Sequence, residues 1–177
     1  MAVPAGWQQP IEASGPAPGI AFASHGARLG AYVIDALILG VVVGTVVVLS
    51  TLPIIGTILG RVGHQPGYWS DPATWSQLGA GIGLVILGAI VGSLVGLIYF
   101  PWFWARGGQT PGMQAAGIRV VRDRDGGPIS GGTAILRLVG FWVSGAVFYL
   151  GYAWILIDAR RRGWHDLLAG TCVISTR

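Results

Sequence analysis

An aspartate inside a long apolar stretch is the residue of this chain that most invites a chemical role. Asp35 lies within residues 29–52, which are long enough to cross a bilayer, and Arg28 precedes it by seven residues. A carboxylate at the centre of a membrane helix costs about 2.5–3.5 kcal/mol on insertion scales, so it needs a partner or a task. Seven residues are two helical turns, which puts both side chains on one helix face, roughly 10 Å apart.

The composition indicates a membrane protein. Of the 177 residues, 53% are hydrophobic and only 10% are charged, whereas a soluble domain is about 25% charged. The isoelectric point near 9.8 could indicate nucleic-acid binding. The arginines flank apolar runs, however, which is the pattern that orients a chain in a membrane. We therefore expect a lipid bilayer, and no nucleic acid, as a partner.

Three apolar segments are long enough to span a bilayer as helices. Residues 29–52, 78–100 and 134–157 each contain 23 or 24 residues, about 35 Å of helix against an apolar layer of about 30 Å. A lone strand would leave its backbone groups unpaired in lipid, so we predict helices. Residues 1–24 are rich in proline, alanine and glycine without a hydrophobic period, which predicts a disordered tail ahead of a membrane domain at 25–176.

Glycines recur at a spacing of four on the first two segments. Gly40 and Gly44 lie on the first, and Gly88, Gly92 and Gly96 lie on the second. Small residues at this spacing let two helix backbones approach closely. The face that they form could serve contacts within one chain or a homodimer.

Short β-structure is predicted outside the apolar segments. Residues 117–121 form a short apolar run, and residues 125–128 (DGGP) carry a strong turn signal. Residues 171–174 also have β-branched character. The predicted fold is therefore an all-α transmembrane bundle of three apolar helices with a short cytoplasmic β-hairpin or a strand paired with the C-terminus.

The distribution of arginines conflicts with three simple crossings. Residues 101–133 carry four arginines and residues 53–77 only Arg61, which predicts a cytoplasmic connection at 101–133 and a cytoplasmic N-terminus. A third full crossing would place residues 160–162, all arginine, outside. We favour a third segment that is broken or re-entrant near Ser144, Gly145 and Gly151, although hydropathy alone predicts one plain crossing. The broken segment would gather these charged side chains at the cytoplasmic side: Arg28, Asp35, Arg137, Asp158, the arginines 160–162 and Asp166.

The combination of these short stretches resembles one family, the RDD family of small bacterial membrane proteins. The likeness covers residues 25–176 and is carried by these stretches: 28–35 (RLGAYVID), 108–112 (GQTPG), 117–121 (GIRVV), 126–128 (GGP), Arg137, Asp158 with the arginines 160–162, and 165–171 (HDLLAGT). By this resemblance, Arg28 and Asp35 match the first arginine and aspartate of the family, and Asp166 the second aspartate. Met113 departs from the family, which commonly has lysine after Thr-Pro-Gly.

The resemblance implies a role in transport, because ligand transport and cation/proton antiport have been suggested for family members. The expected sites are an intramembrane charged group of Arg28, Asp35 and Arg137 and a C-terminal polar motif of Asp158, His165 and Asp166. An intramembrane acid is a functional candidate by default, but the same group could be a structural ion pair. A transporter this small implies a homo-oligomer. The alternative is a non-transporting accessory or assembly subunit of another membrane complex.

An enzyme is not expected. His25, His64 and His165 are scattered and the single cysteine, Cys172, does not join them, so we predict no metal site. No nucleophile has a recognisable setting beside His165. Residues 107–112 lack the lysine of a phosphate-binding loop, so we predict no cofactor.

Overall fold

The computed structural model describes residue 15, residues 19–59 and residues 70–177. Most of the predicted tail, together with Arg61 and His64, lies outside these described residues. The elements, in chain order, are α1 (His25–Leu59), α2 (Pro72–Gly107), α3 (Pro111–Ala116), β1 (Ile118–Arg122), α4 (Gly131–Ala146), α5 (Leu150–Ala153) followed by a 3-10 turn (Trp154–Leu156), α6 (Trp164–Ala169) and β2 (Thr171–Ser175).

Among the described residues, two helices are long and apolar enough to cross a membrane, and they contain the first two predicted segments. These are α1 and α2, of 35 and 36 residues. The third apolar segment is divided between α4 and the α5 region, whose axes differ by 110°. The fold class predicted from the sequence is therefore confirmed, with a bent pair of short helices in the third segment.

The break in the third segment follows α4 directly. Phe148 and Tyr149 adopt left-handed backbone angles, with φ of 49° and 60°, which end the helix and turn the chain. Gly151 then packs against α4, where an added Cβ would lie 2.4 Å from Oγ of Ser144. Ser144 and Gly151 thus form the contact inside the bend, and the chain turns between them.

The chain divides into two compact units, one of residues 36–98 and the other of residues 1–35 and 99–177. Within the first unit, α1 and α2 pack through glycines. An added Cβ on Gly88 would lie 2.8 Å from Oγ of Ser50, and one on Gly92 would lie 2.9 Å from Cγ1 of Val43. Close approach within one chain therefore accounts for these two glycines. At the remaining glycines of the predicted face, an added Cβ would meet no described atom within 4 Å: Gly40, Gly44 and Gly96.

The second unit contains the β-structure. β1 and β2 pair antiparallel, with Val120 opposite Val173, so the predicted strand after the second helix does pair with the C-terminus and not with a neighbouring strand. Phe22 forms an isolated bridge to Ile174, and Ala23 donates a backbone hydrogen bond to Val173. Phe22 and Ala23 are buried, so the predicted tail boundary at residue 24 is too late. These last residues of the segment are ordered because β2 offers them backbone hydrogen bonds and apolar cover.

Candidate functional site

A buried ion cluster lies at the centre of the second unit, around Asp166. Arg28 from α1 donates to Oδ2 of Asp166 through Nη1 at 2.8 Å, and Nη1 of Arg137 from α4 donates to Oδ1. Asp166 and Arg137 are fully buried, and Arg28 is 3% exposed. The sequence predicted that Arg28 and Arg137 share an aspartate, but it predicted the wrong one. The aspartate that joins them is on α6, not on α1.

The short helix α6 and strand β2 hold Asp166 in place. The Gly163 backbone N–H donates to Oδ2 of Asp166 at 3.0 Å, which closes the first turn of α6 around its own aspartate. Nη1 of Arg137 also donates to Oγ1 of Thr171 at 2.5 Å. Burial alone would raise the pKa of Asp166, but Arg137 and Arg28 outweigh it and hold that pKa well below its usual range. Asp166 therefore stays ionised over the physiological pH range.

His165 lies beside the ion cluster among aromatic rings. Its ring centroid is 4.0 Å from that of Phe141 and 5.7 Å from that of Tyr152. Burial lowers the pKa of His165 to about 3, so its ring is neutral at pH 7. Gly140 makes room for it, because a Cβ there would lie 2.6 Å from Cα of His165. This close contact brings α6 against α4 and brings Asp166 within reach of Arg137.

Asp35 occupies a different buried environment, without an arginine. Oδ1 accepts from the Tyr99 hydroxyl and from the Gly112 N–H, both at 2.8 Å, and Oδ2 accepts from Oγ1 of Thr110 at 2.5 Å. Among the described residues, neither Arg28 nor Arg137 contacts it. The predicted Arg28–Asp35 pairing is therefore wrong. A helical side chain leans toward the N-terminus, so Arg28 extends away from Asp35 and toward α6.

The Thr-Pro-Gly loop is shaped around Asp35. Thr110 is the N-cap of α3, and its hydroxyl oxygen accepts a hydrogen bond from the Met113 N–H. The same hydroxyl donates a hydrogen bond to Oδ2 of Asp35. Pro111 begins the helix, where its missing N–H costs nothing. Gly112 must lack a Cβ, which would lie 2.2 Å from the Ala31 carbonyl oxygen and 2.8 Å from Cγ of Asp35.

Sequence reasoning missed three partners of Asp35, namely Tyr99, Thr110 and the Gly112 backbone. Neutral donors carry no charge signal, and the only available sign was the resemblance of residues 108–112 to a family motif. Met113, the departure from that motif, is buried in the apolar core with Trp104 and Ile118. A methionine at this position adds no charge to the surroundings of Asp35.

Asp158 belongs to a third, partly exposed cluster. Arg162 donates through Nε to Oδ2 of Asp158 at 3.1 Å and through Nη1 to Oδ2 of Asp123 at 2.9 Å. Arg160 donates to the same Asp123 oxygen at 3.0 Å. Partial burial would raise the pKa of Asp158, but the hydrogen bonds from Arg162 keep it below its usual value. This cluster joins the turn after β1 to the loop before α6, and it shares no residue with the buried ion cluster around Asp166.

The described residues contain no group of three or more His, Cys, Asp or Glu side chains that could hold a metal ion. Cys172 is buried in β2, and burial raises the pKa of its thiol to about 12. A neutral thiol is a poor nucleophile. The thiol of Cys172 is therefore neutral at physiological pH and packed in the small sheet.

Comparison with known proteins identifies the family but no close relative. No curated protein and no solved structure matches the chain. The profile of the RDD family matches residues 22–170. This range begins at Phe22, the first residue among those described that is buried, and includes Arg28, Asp35, Arg137 and Asp166. It also includes α1 and α2, which are long and apolar enough to cross a membrane. The chain is therefore an integral membrane protein that belongs to the RDD family.

Proposed function

We propose that this protein exchanges a small cation for protons across the membrane, with Asp35 as the carboxylate that binds each in turn. One observation carries the proposal. Asp35 is fully buried in a membrane-length helix and is bound by neutral groups alone among the described residues, while both buried arginines are engaged by Asp166. A carboxylate without a cationic partner can bind a proton or a small cation, because no fixed positive charge competes for it.

The chemistry around Asp35 suits a hard cation. The hydroxyl oxygens of Tyr99 and Thr110 lie at hydrogen-bond distance from the carboxylate and can turn their lone pairs toward a cation. Hard cations such as sodium prefer oxygen ligands of this kind, as magnesium and calcium do. Since a proton and a cation would compete for the same oxygens, binding of one favours release of the other.

The strand pairing supports a cytoplasmic location for both termini. Backbone hydrogen bonds join β2 to β1 and to the segment at Phe22. The Phe22 segment precedes α1, β1 lies in the connection after α2, and β2 is at the C-terminus. Hydrogen-bonded strands lie on one side of a membrane, so α4 and α5 would return without crossing. The four arginines of residues 101–133 favour the cytoplasm as that side, in the inner membrane of a bacterial cell.

A homo-oligomer is part of the proposal. Two crossing helices and one bent segment provide few surfaces for alternating access within a single chain. In secondary transporters, alternating access is largely a movement of one repeat or bundle against another. A second copy of the chain would supply that other half.

The proposal is tested by flux measurements in proteoliposomes. Vesicles that contain the purified protein and an internal pH dye receive sodium or potassium outside under a pH gradient. We expect cation-dependent proton movement in the wild type and in Asp125→Asn, whose carboxyl is exposed, and none in Asp35→Asn. Exchange at the wild-type rate in a folded Asp35→Asn variant would contradict the proposal.

A second candidate function is that of a non-enzymatic accessory subunit. Gly40, Gly44 and Gly96 would meet no described atom if they carried a Cβ, so these positions are open to a helix of another protein. Purification in a mild detergent discriminates between the two functions. An accessory subunit would be recovered with a different membrane protein and would lose that partner in Gly44→Leu, whereas a transporter would be recovered alone or as a homo-oligomer.

A further inference from the structure

In the part of the chain that the structure describes, each of the two buried arginines leaves three of its five N–H donors without a partner. Each contacts Asp166 through Nη1 alone. Within the part of the chain that the structure describes, Nε and Nη2 of Arg28 and Nε and Nη2 of Arg137 are buried without a hydrogen-bond partner. Buried charged donors lose their hydration on folding and therefore require an acceptor.

The unpartnered atoms are Nε and Nη2 in both arginines. In each side chain, these two atoms form one edge of the guanidinium group. The N–H groups of Nε and Nη2 lie in the guanidinium plane and point in parallel from one of its edges. This edge matches the spacing of two oxygens of a carboxylate or phosphate group and binds them with two charge-assisted hydrogen bonds. Arg28 and Arg137 therefore each present an unused oxyanion-binding edge.

The charges of the cluster also favour an anion. Two guanidiniums face a single carboxylate, that of Asp166, which leaves one positive charge in excess at a site where Arg28 is 3% exposed and Arg137 is not exposed. Thr171 and the Trp104 ring, whose centroid is 4.9 Å from Cζ of Arg137, are neutral. Water could satisfy the N–H groups but would not balance the charge.

A third group beside the cluster is free to donate as well. Both ring nitrogens of His165 are buried without a hydrogen-bond partner among the described residues. Nε2 lies 3.4 Å from Oδ2 of Asp166, so the ring is at the same carboxylate as the two arginines. In either neutral tautomer, one of its nitrogens is an N–H donor.

We propose that the unused edges of Arg28 and Arg137 bind a small oxyanion beside Asp166, through a carboxylate or phosphate group. This anion site is distinct from Asp35 and goes beyond the proposed cation exchange. The phosphate chemistry could come from a free anion or from the headgroup of a phospholipid. A bound anion would complete the hydrogen bonds of both arginines and neutralise the cluster.

The first test is calorimetric titration of the detergent-purified protein with sodium formate, sodium phosphate and sodium chloride at equal ionic strength. Chloride has one centre and no pair of oxygens, so it serves as the reference anion. We expect saturable binding of formate or phosphate that is stronger than that of chloride. Arg28→Lys and Arg137→Lys keep the charge but remove the edge, so binding should weaken by roughly 10- to 100-fold, the effect of losing one charge-assisted hydrogen bond.

The matched control is Arg124→Lys, since the side chain of Arg124 is 78% exposed and lies outside the cluster. We expect its affinity to stay within about twofold of the wild type, as for other surface substitutions. If Arg137→Lys fails to fold, then Arg28→Lys and the preference of the wild type for formate over chloride carry the test.

Native mass spectrometry identifies an anion that is already bound and its source. The protein is released from nanodiscs of phosphatidylglycerol and, in parallel, from nanodiscs of an uncharged glycolipid with phosphate in the buffer. A retained phospholipid or a retained phosphate that is lost in Arg28→Lys supports the proposal and names the source. The proposal is overturned if the wild type retains no anion and binds neither formate nor phosphate, or if both lysine variants bind as the wild type does.

Discussion

The two buried aspartates of the second unit are alike in type and burial but differ in what surrounds them. Asp166 is contacted by two guanidiniums, whereas Asp35 is contacted by two hydroxyls and one backbone N–H. The two charged partners keep Asp166 ionised. Neutral donors hold Asp35 in place. Burial alone therefore does not distinguish the two aspartates, whereas the charge of their partners does.

The largest effect is expected from Asp166→Asn. This substitution leaves two buried guanidiniums without a carboxylate, which costs about 3–5 kcal/mol of folding free energy. In detergent, we expect a much lower yield of monodisperse protein and a lower thermal unfolding midpoint. Asp125→Asn, at an exposed salt bridge, should change the midpoint little. A stable Asp166→Asn variant would show that the two buried arginines do not need the carboxylate of Asp166 for folding.

The ion cluster of Asp166 with Arg28 and Arg137 also predicts how the stability of the protein depends on pH. Because the pKa of Asp166 in the folded protein lies below its unfolded value of about 3.9, its stabilising contribution is complete above that pH. The contribution decreases as the pH falls below about 4, toward the lower folded pKa. The unfolding midpoint should therefore fall in acid, through protonation of Asp166 and of the other paired carboxylates.

Gly112→Ala is expected to act on the Asp35 side. The added Cβ would overlap the Ala31 carbonyl oxygen and crowd Cγ of Asp35, and overpacking of this kind costs about 1–3 kcal/mol. Cation exchange should fall more than stability, because the carboxylate is displaced from Tyr99 and Thr110. Gly131→Ala, where an added Cβ meets no described atom within 4 Å, is the control for thermal midpoint and flux. Equal behaviour of the two alanine variants would refute the close contact.

Thr110→Val is expected to have an intermediate effect. It removes the hydroxyl that bonds Asp35 and also caps α3, and loss of an N-cap costs about 1–2 kcal/mol. Thr110→Ser keeps the hydroxyl and should retain most of the thermal stability and flux. If the valine variant matched the serine variant in both measurements, the hydroxyl would have no part in the site.

The smallest effect is expected in the partly exposed cluster. Asp158→Asn weakens an ion pair with Arg162 that solvent and salt already screen. The loss in free energy of unfolding should therefore be below about 1 kcal/mol. The difference from the wild type in the thermal midpoint should shrink further in high salt. A loss as large as that of Asp166→Asn would show that the exposed and buried clusters are one network.

The sequence contained enough information to predict the elements but not the pairing of charges. Hydropathy located α1 and α2, and β-branched residues located both strands, because these signals are local. The sequence also predicted a break in the third segment, but Arg28 and Asp166 meet through tertiary packing that depends on the angle of that bend and on the close contact at Gly140. Neither the angle nor the contact can be deduced from the local sequence. The periodicity correctly placed Arg28 and Asp35 on one helix face. It could not show that a separation of roughly 10 Å, with Arg28 leaning the other way, prevents a contact.

The most direct test of the account is infrared difference spectroscopy of the protein in lipid, between a cation-free state at low pH and a cation-loaded state. If Asp35 exchanges a proton for a cation while Asp166 stays ionised, cation binding removes the C=O band of one protonated carboxyl group. That band should be absent in Asp35→Asn and unchanged in Asp125→Asn. A cation-sensitive carboxyl band that persists in folded Asp35→Asn would contradict the account.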